Sequence, residues 1–272
     1  TLLLRPGSRK ALAAKMASLR IEGSGVGSEF LEVSVRAELA EFSRPAVADT
    51  LLLTTKAPDA SAALQGVAPL LKPGAVVVIL CNGALALCDE LAQLPELSHV
   101  KLVLGMTTHG AWSKADFHVI HAGVGQSWFG SRDASLLESE KYRKAMESIS
   151  SAQLGAKDEG LGIMRHLWLK LAANAVINPL TAINEEPNGF VLGKAREISE
   201  VCKELASLAQ TEGLEGCISP TAAELEEFVV RTATETSKNK SSMLQDIQAG
   251  RSTEIEFLNG WVARKAKQIG LS

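Results

Sequence analysis

The sequence predicts an α/β N-terminal domain followed by an all-α C-terminal domain. From Thr1 to about Lys157, short apolar runs alternate with helical stretches and turn residues, the rhythm of a doubly wound parallel sheet. One of those runs, Ala75–Leu80 (AVVVIL), is rich in β-branched residues and apolar on both faces, as a strand sandwiched by helices should be. From about Glu159 onward the strand signals fade and helical periodicity takes over. At 272 residues the chain is long enough for two modest domains, placed at residues 1–157 and 158–272.

The elements follow in order. Thr1–Leu4 is a candidate strand end, followed by Arg5-Pro6-Gly7 and a helical Ser8–Leu19. Thr50–Thr54 (TLLLT) reads as a buried strand with a polar exit at Thr55 and Lys56. Asp59–Leu71 has helical periodicity and is stopped by Lys72-Pro73-Gly74. Leu85–Leu94 is the next helix and Lys101–Met106 the next strand, after which Phe117–His121 and Gly125–Gly130 suggest a β-hairpin with Gly123 near its turn. In the second half Gly160–Ile177 is a long helix that Pro179 is expected to limit, because proline has no N–H to donate and disfavours helix in the residue before it. Ala195–Thr211, Thr221–Thr236, Ser241–Ala249 and Ile255–Ile269 complete the helical half.

Composition narrows the function classes. Lys and Arg number 28 against 31 Asp and Glu, a net charge of −3 that argues against nucleic acid as the main partner. The 46% of hydrophobic residues is enough to oppose disorder. The most apolar stretch, Gly74–Leu87, is broken by Asn82 and Gly83 and is too short to span a bilayer, so no membrane partner is expected. Cys81, Cys88, Cys202 and Cys217 are scattered without a Cys-x-x-Cys pair, which suggests free thiols in a reducing compartment and a cytoplasmic protein. The five histidines have no metal-ligand spacing, and no metal is expected. The chain opens on Thr1 as if in mid-structure and shows no targeting segment, although one could have been lost.

Open α/β sheets bind ligands beyond the carboxyl ends of their strands. At that edge stand Arg5, Lys56, Asn82-Gly83 and the trio Thr107, Thr108 and His109. A basic residue after the second strand of a dinucleotide fold suits the 2′-phosphate of NADP, and Arg5 is followed closely by Arg9 and Lys10. A G-x-G-x-x-G turn occurs nowhere; Gly23–Gly27 (GSGVG) resembles one only superficially. If Thr1–Leu4 is the second strand, the first strand and its glycine turn are missing, so an N-terminally truncated chain is expected, one that binds NADPH poorly or not at all.

Two further clusters carry chemistry. Lys170, Asn174 and Asn178 recur every four residues and share one helix face in an apolar setting. A lysine so surrounded has a lowered pKa and can act as a general acid; the alternative is a surface lysine beside capping asparagines. Asn239, Ser241, Ser242, Asp246, Arg251 and Glu254 form the other cluster. Glu254 can be a first-turn carboxylate favoured by the helix dipole, or a cleft residue that bonds a substrate hydroxyl or the lysine.

Taken together, these clusters resemble the ketopantoate reductase (2-dehydropantoate 2-reductase) family. The likeness runs from Arg5 almost to the C-terminus. It is strongest over Leu167–Gly189 (LWLKLAANAVINPLTAINEEPNG) and Asn239–Gly260 (NKSSMLQDIQAGRSTEIEFLNG), with Thr55-Lys56, Asn82-Gly83 and Gly105–Gly110 (GMTTHG) in the first half. The resemblance implies a Rossmann-type NADP-binding domain, a helical domain, an active site between them, and reduction of ketopantoate to pantoate by NADPH on the route to pantothenate and coenzyme A. It implies Lys170 as the general acid and Glu254 as a cleft carboxylate contacting substrate or the cofactor ribose. Asn174, Asn178, Asn239 and Ser242, with Asn188 as a further member, would hold the substrate's carboxylate and hydroxyl groups. Arg5 and Lys56 would meet the adenosine phosphate end, Asn82 the ribose and nicotinamide, and Ala111 would offer a backbone contact. The partner is then a small-molecule 2-keto acid, and the protein a monomer or homodimer.

The chain departs from the family in lacking the glycine turn, in carrying Asp59 where members often have a neutral polar residue, in continuing Asn82-Gly83 as Ala84-Leu85, and in stopping at Ser272 short of a usual last helix. Two other functions stay open. One is reduction of a different 2-keto acid. The other is a non-catalytic NADP-binding sensor, which would have no need of the Lys170, Asn174 and Glu254 set.

Overall fold

A computed structural model of the chain describes residues 2–4, 16–23, 31–39, 47–115, 118–151, 156–213 and 216–271. Arg5, Arg9 and Lys10, with Ser24–Gly27 of the GSGVG stretch, lie outside the described residues. The strands are β1 (Leu2–Leu4), β2 (Met16–Gly23), β3 (Leu31–Leu39), β4 (Ala48–Leu53), β5 (Leu71–Ile79), β6 (Lys101–Thr107), β7 (Gly110–Ala115), β8 (His118–Gly123), β9 (Ser127–Gly130) and β10 (Ala156–Gly160). The helices are α1 (Ala57–Val67), α2 (Ala84–Leu91), α3 (Ala134–Leu137), α4 (Glu140–Ser151), α5 (Ile163–Asn184), α6 (Ala195–Thr211), α7 (Ala222–Glu235), α8 (Ser242–Gln248) and α9 (Asn259–Gln268).

One five-stranded sheet, in the order β10-β9-β6-β5-β4, carries the cleft. Its β4, β5 and β6 are parallel, and β9 closes antiparallel on β6. The all-apolar Ala75–Ile79 part of β5 is explained by two covered faces, whereas Leu71, expected to end a helix, and the breakers Lys72-Pro73-Gly74 open the same strand. Val77 and Ile79 enter the main core with Leu64 of α1 and Leu87 of α2. Val76 and Val78 point the other way, against Tyr142, Ala145, Met146 and Ile149 of α4. Helices thus cover both faces, as the AVVVIL run requires.

Further expectations are corrected. Met16–Leu19, expected to end a helix, lies in β2 and pairs antiparallel with β3; Ser18, Leu19, Arg20, Ile21 and Glu22 alternate polar and apolar, a strand period. The hairpin is β7 with β8, whereas β9 joins the other sheet beside β6. What draws β9 there is Phe129, fully buried against Gly105, where a Cβ would stand 2.8 Å from the ring. Leu2–Leu4 pairs with β3 in a second sheet, β1-β3-β2-β8-β7, and not with the strands that line the cleft.

Pro179 does not end its helix: α5 runs on for five residues beyond it, to Asn184. The carbonyl that Pro179 leaves without an N–H partner is that of Ala175, four residues earlier, and the Asn259 side-chain amide donates to it at 3.0 Å. A tertiary contact supplies what the helix cannot. Asn259→Ala strands this carbonyl in a buried helix and is expected to cost about 1–3 kcal/mol, read as a lower urea midpoint at unchanged slope.

The helix α5 buries residues on nearly all sides, including Met164, Trp168, Ala172 and Val176, which marks it as the central strut of the helical half. Helices α6, α7, α8 and α9 surround it, and α7 starts with a capping box between Thr221 and Glu224. Among the described residues no helix is long and apolar enough to cross a membrane.

Candidate active site

A cleft of about 770 Å³ separates the carboxyl edge of the β4–β6 strands from the helical half, within the size range of ligand pockets. Its sheet wall is Leu80–Leu85, Gly105–Ala111 and Trp128. Its helical wall is Lys170, Asn174 and Asn178 of α5, Asn188, the Phe228–Thr236 face of α7, and Asn239–Ser242. The tight entry into α2 depends on Gly83, whose φ of 71° is left-handed and whose absent Cβ would meet Phe257 Cβ at 2.7 Å. That turn fixes Asn82 at the end of β5.

The structure brings most of the sequence-predicted residues together. Lys170 faces the cleft and, among the described residues, makes no hydrogen bond or ion pair. Burial holds its pKa below the ordinary lysine range. One turn on, Asn174 Nδ2 donates to Asn82 Oδ1 at 3.3 Å. Asn82 Nδ2 in turn donates to Glu254 Oε2 at 3.0 Å, and Glu254 Oε1 accepts the Ala57 backbone N–H at 3.3 Å. Helix, strand end and loop are thus joined through one chain of polar side chains.

Glu254 is 7% exposed and does not line the cleft; it lies behind Asn82. Its carboxylate sits at the N-terminus of α1, where the helix dipole favours negative charge. The dipole it meets is therefore not that of its own segment.

Asn178 is buried on the cleft wall. Asn188 Nδ2 donates to Thr236 Oγ1 at 2.9 Å, its backbone N–H donates to the Asn239 carbonyl, and its Oδ1 is buried with no partner among the described residues. Ser241 caps α8 by accepting the Leu244 N–H at 3.1 Å and also accepts from Thr181 Oγ1, which leaves Ser242 exposed at the cleft edge beside Asn239. Ala111 lines the sheet wall.

Lys56 is engaged elsewhere. Its ammonium lies 2.6 Å from both oxygens of Asp246, which is itself buried and also accepts from Arg251 Nε at 2.9 Å. Lys56 does not line the cleft; it ties the end of β4 to α8.

The trio Thr107, Thr108 and His109 read at the strand edge lines the cleft, as do residues outside the sequence-predicted set. His109 Nδ1 accepts the Gly125 N–H at 3.2 Å and lies 3.0 Å from His121 Nε2, and burial with the His121 charge lowers its pKa. The neutral ring therefore carries its proton on Nε2, an atom buried without a partner among the described residues. Arg231, Glu235 and Lys240 add charges to the helical wall. Their only sequence signal is spacing along α7 and its exit, which a solvent-facing stripe would share.

Comparison with known proteins follows the same division. The family described as "Ketopantoate reductase PanE/ApbA" matches residues 1–134, and "Ketopantoate reductase PanE/ApbA C terminal" matches residues 162–272. A 2-dehydropantoate 2-reductase of Shigella flexneri is 33% identical over 227 residues, covering 84% of this chain and 70% of its own. That of Archaeoglobus fulgidus is 31% identical, covering 84% and 73%. Among solved structures, a D-mandelate dehydrogenase with NADH and anilino(oxo)acetate superposes with a TM-score of 0.77 at 23% identity, over 99% of this chain and 85% of that one. A PanE/ApbA family ketopantoate reductase from Ralstonia eutropha JMP134 gives 0.76 at 23% identity, with the same coverage. At those identities the structural likeness speaks for the fold.

Proposed function

The chain belongs to the ketopantoate reductase family, and from that premise we propose that it reduces 2-dehydropantoate (ketopantoate) to pantoate with NADPH in the cleft between its two halves. The observation that carries this is Lys170, a half-buried lysine that among the described residues has no hydrogen-bond or ion-pair partner, on the wall of a cleft furnished with neutral amide groups. NADPH, when bound, supplies the hydride. Negative charge then develops on the ketone oxygen, and the Lys170 ammonium stabilises it and delivers its proton to that oxygen. Asn174, Asn178, Asn188, Asn239 and Ser242 donate hydrogen bonds to the substrate and orient it.

The residues present fit such a cofactor at its reactive end. The cleft opens at the carboxyl edge of a parallel sheet, where dinucleotides bind, and the Thr55 hydroxyl at the end of β4 is a buried polar atom with no partner among the described residues. Asn82 and the Ala111 backbone would hold the nicotinamide and ribose. Arg5 and Lys56 would meet the phosphate end, Lys56 exchanging its contact with Asp246. Glu254, behind Asn82, acts as a positioning residue for that amide. We assign cofactor binding to residues 1–157 and substrate binding to residues 158–272, in a monomer or homodimer. Four free cysteines support a cytoplasmic setting.

The test is NADPH consumption by the whole protein with ketopantoate beside a panel of other 2-keto acids. Strong preference for ketopantoate is the expected result. Preference for another keto acid would keep the chemistry and move the substrate; tight NADPH binding without turnover on any of them would leave a sensor.

A further inference from the structure

The proposed substrate carries a carboxylate, and the neutral donors on the wall do not balance its charge. Among the described residues that line the cleft, three are cationic: Lys170, Lys240 and Arg231. Lys170 is committed to the ketone oxygen. Lys240 Nζ donates to Gln248 Oε1 at 2.9 Å, on the outer side of α8. Arg231 is different. Its guanidinium carbon lies 5.2 Å from the centre of the Phe228 ring, one turn back along α7, and among the described residues it makes no ion pair, not even with Glu235 one turn on. A guanidinium lying over a ring keeps its N–H edge free, and that planar fork matches a carboxylate in two parallel hydrogen bonds.

We propose that Arg231 is a specificity-determining residue, binding the carboxylate of the 2-oxo acid substrate from the α7 wall while Lys170 addresses the ketone. This rests on the cleft being a 2-oxo acid site. Phe228, Thr232 and Thr236 belong to the same cleft-lining stripe, so α7 presents the exposed arginine on the side that faces the cleft. The neutral amides then orient the hydroxyl and keto groups, and charge recognition falls to a residue that takes no part in proton transfer.

The experiment compares wild type with Arg231→Ala and Arg231→Lys on ketopantoate and on its uncharged lactone. For Arg231→Ala, KM for ketopantoate is expected to rise about tenfold or more with kcat within about twofold. KM for NADPH and kcat/KM for the lactone are expected to stay unchanged. Arg231→Lys, a point charge without the fork, is expected to recover only part of the loss. Calorimetric titration with pantoate and pantolactone reads the same discrimination without turnover. Wild type should prefer the acid, and Arg231→Ala should bind the two alike. If wild type turns nothing over yet shows this binding difference, the reductase proposal fails and Arg231 keeps its role. Equal losses for acid and lactone, no loss for either, or a wild type that binds neither would overturn the assignment of Arg231.

Discussion

Lys170→Ala lowers kcat for ketopantoate reduction by about 10²- to 10⁴-fold, the range for loss of a positioned general acid, and leaves NADPH affinity within about twofold. The retained affinity separates loss of chemistry from collapse of the cleft. The pH dependence has a defined sign. Lys170 must be protonated to donate, so kcat/KM falls as pH rises through its pKa. Because burial lowers that pKa, the fall sets in below the pH at which an ordinary lysine, near 10.4, titrates. Stability moves the other way. The unfolded chain binds this proton more tightly than the folded one, so folding stability rises with pH between the two pKa values. Lys170→Met removes a charge that burial disfavours and is expected to raise the thermal midpoint at neutral pH while lowering kcat as far as Lys170→Ala does. A lysine kept for structure would show a lower midpoint with turnover retained, and that outcome would remove Lys170 from the chemistry.

Glu254→Ala is the second large effect. It strips a partner from the part-buried Asn82 Nδ2 and from the buried Ala57 N–H, at a cost of about 1–3 kcal/mol. The loss also frees Asn82 to rotate, and misplacement at this scale costs on the order of 10² in rate. Since Glu254 lies behind the cleft wall, the decline should appear in kcat and in KM for NADPH, where Asn82 works, and spare the Arg231-dependent preference for acid over lactone. Glu254→Gln keeps one accepting oxygen for the Ala57 N–H but sets an amide against Asn82, so it should recover stability more than rate. Equal recovery of both would mean that Glu254 acts only by holding α1.

The parts of the fold that periodicity decides were legible in the sequence. Strand β5 declared its two covered faces because every side chain from Ala75 to Ile79 had to enter a core, and α6 matches its expected bounds because its stripe was unmistakable. Partners distant in sequence were not legible. Pro179 carries a local instruction to stop, and only Asn259, 84 residues away in sequence from the carbonyl it satisfies, allows α5 to continue. The pairing of β9 with β6 depends on the fit of Phe129 into the space at Gly105, which no alternation pattern encodes.

The site divides in the same way. Lys170, Asn174 and Asn178 lie on one helix, and helical spacing alone placed them together. Asn82 and Glu254 are 172 residues apart, and their hydrogen bond follows from packing that the sequence does not state. Lys56 looked like a free cation at a strand end because its partner, Asp246, is 190 positions away. Arg231 stayed hidden since a charged stripe on a helix reads as solvent-facing until another wall is set against it.

The most direct single measurement follows the hydride. The protein is incubated with ketopantoate and NADPH deuterated at both C4 positions, and the product is weighed by mass spectrometry. Reduction in the cleft between the sheet edge and α5 yields pantoate one mass unit heavier, with label appearing at a much lower rate for Lys170→Ala. Unlabelled pantoate, or no pantoate from a protein that binds NADPH tightly, would contradict it.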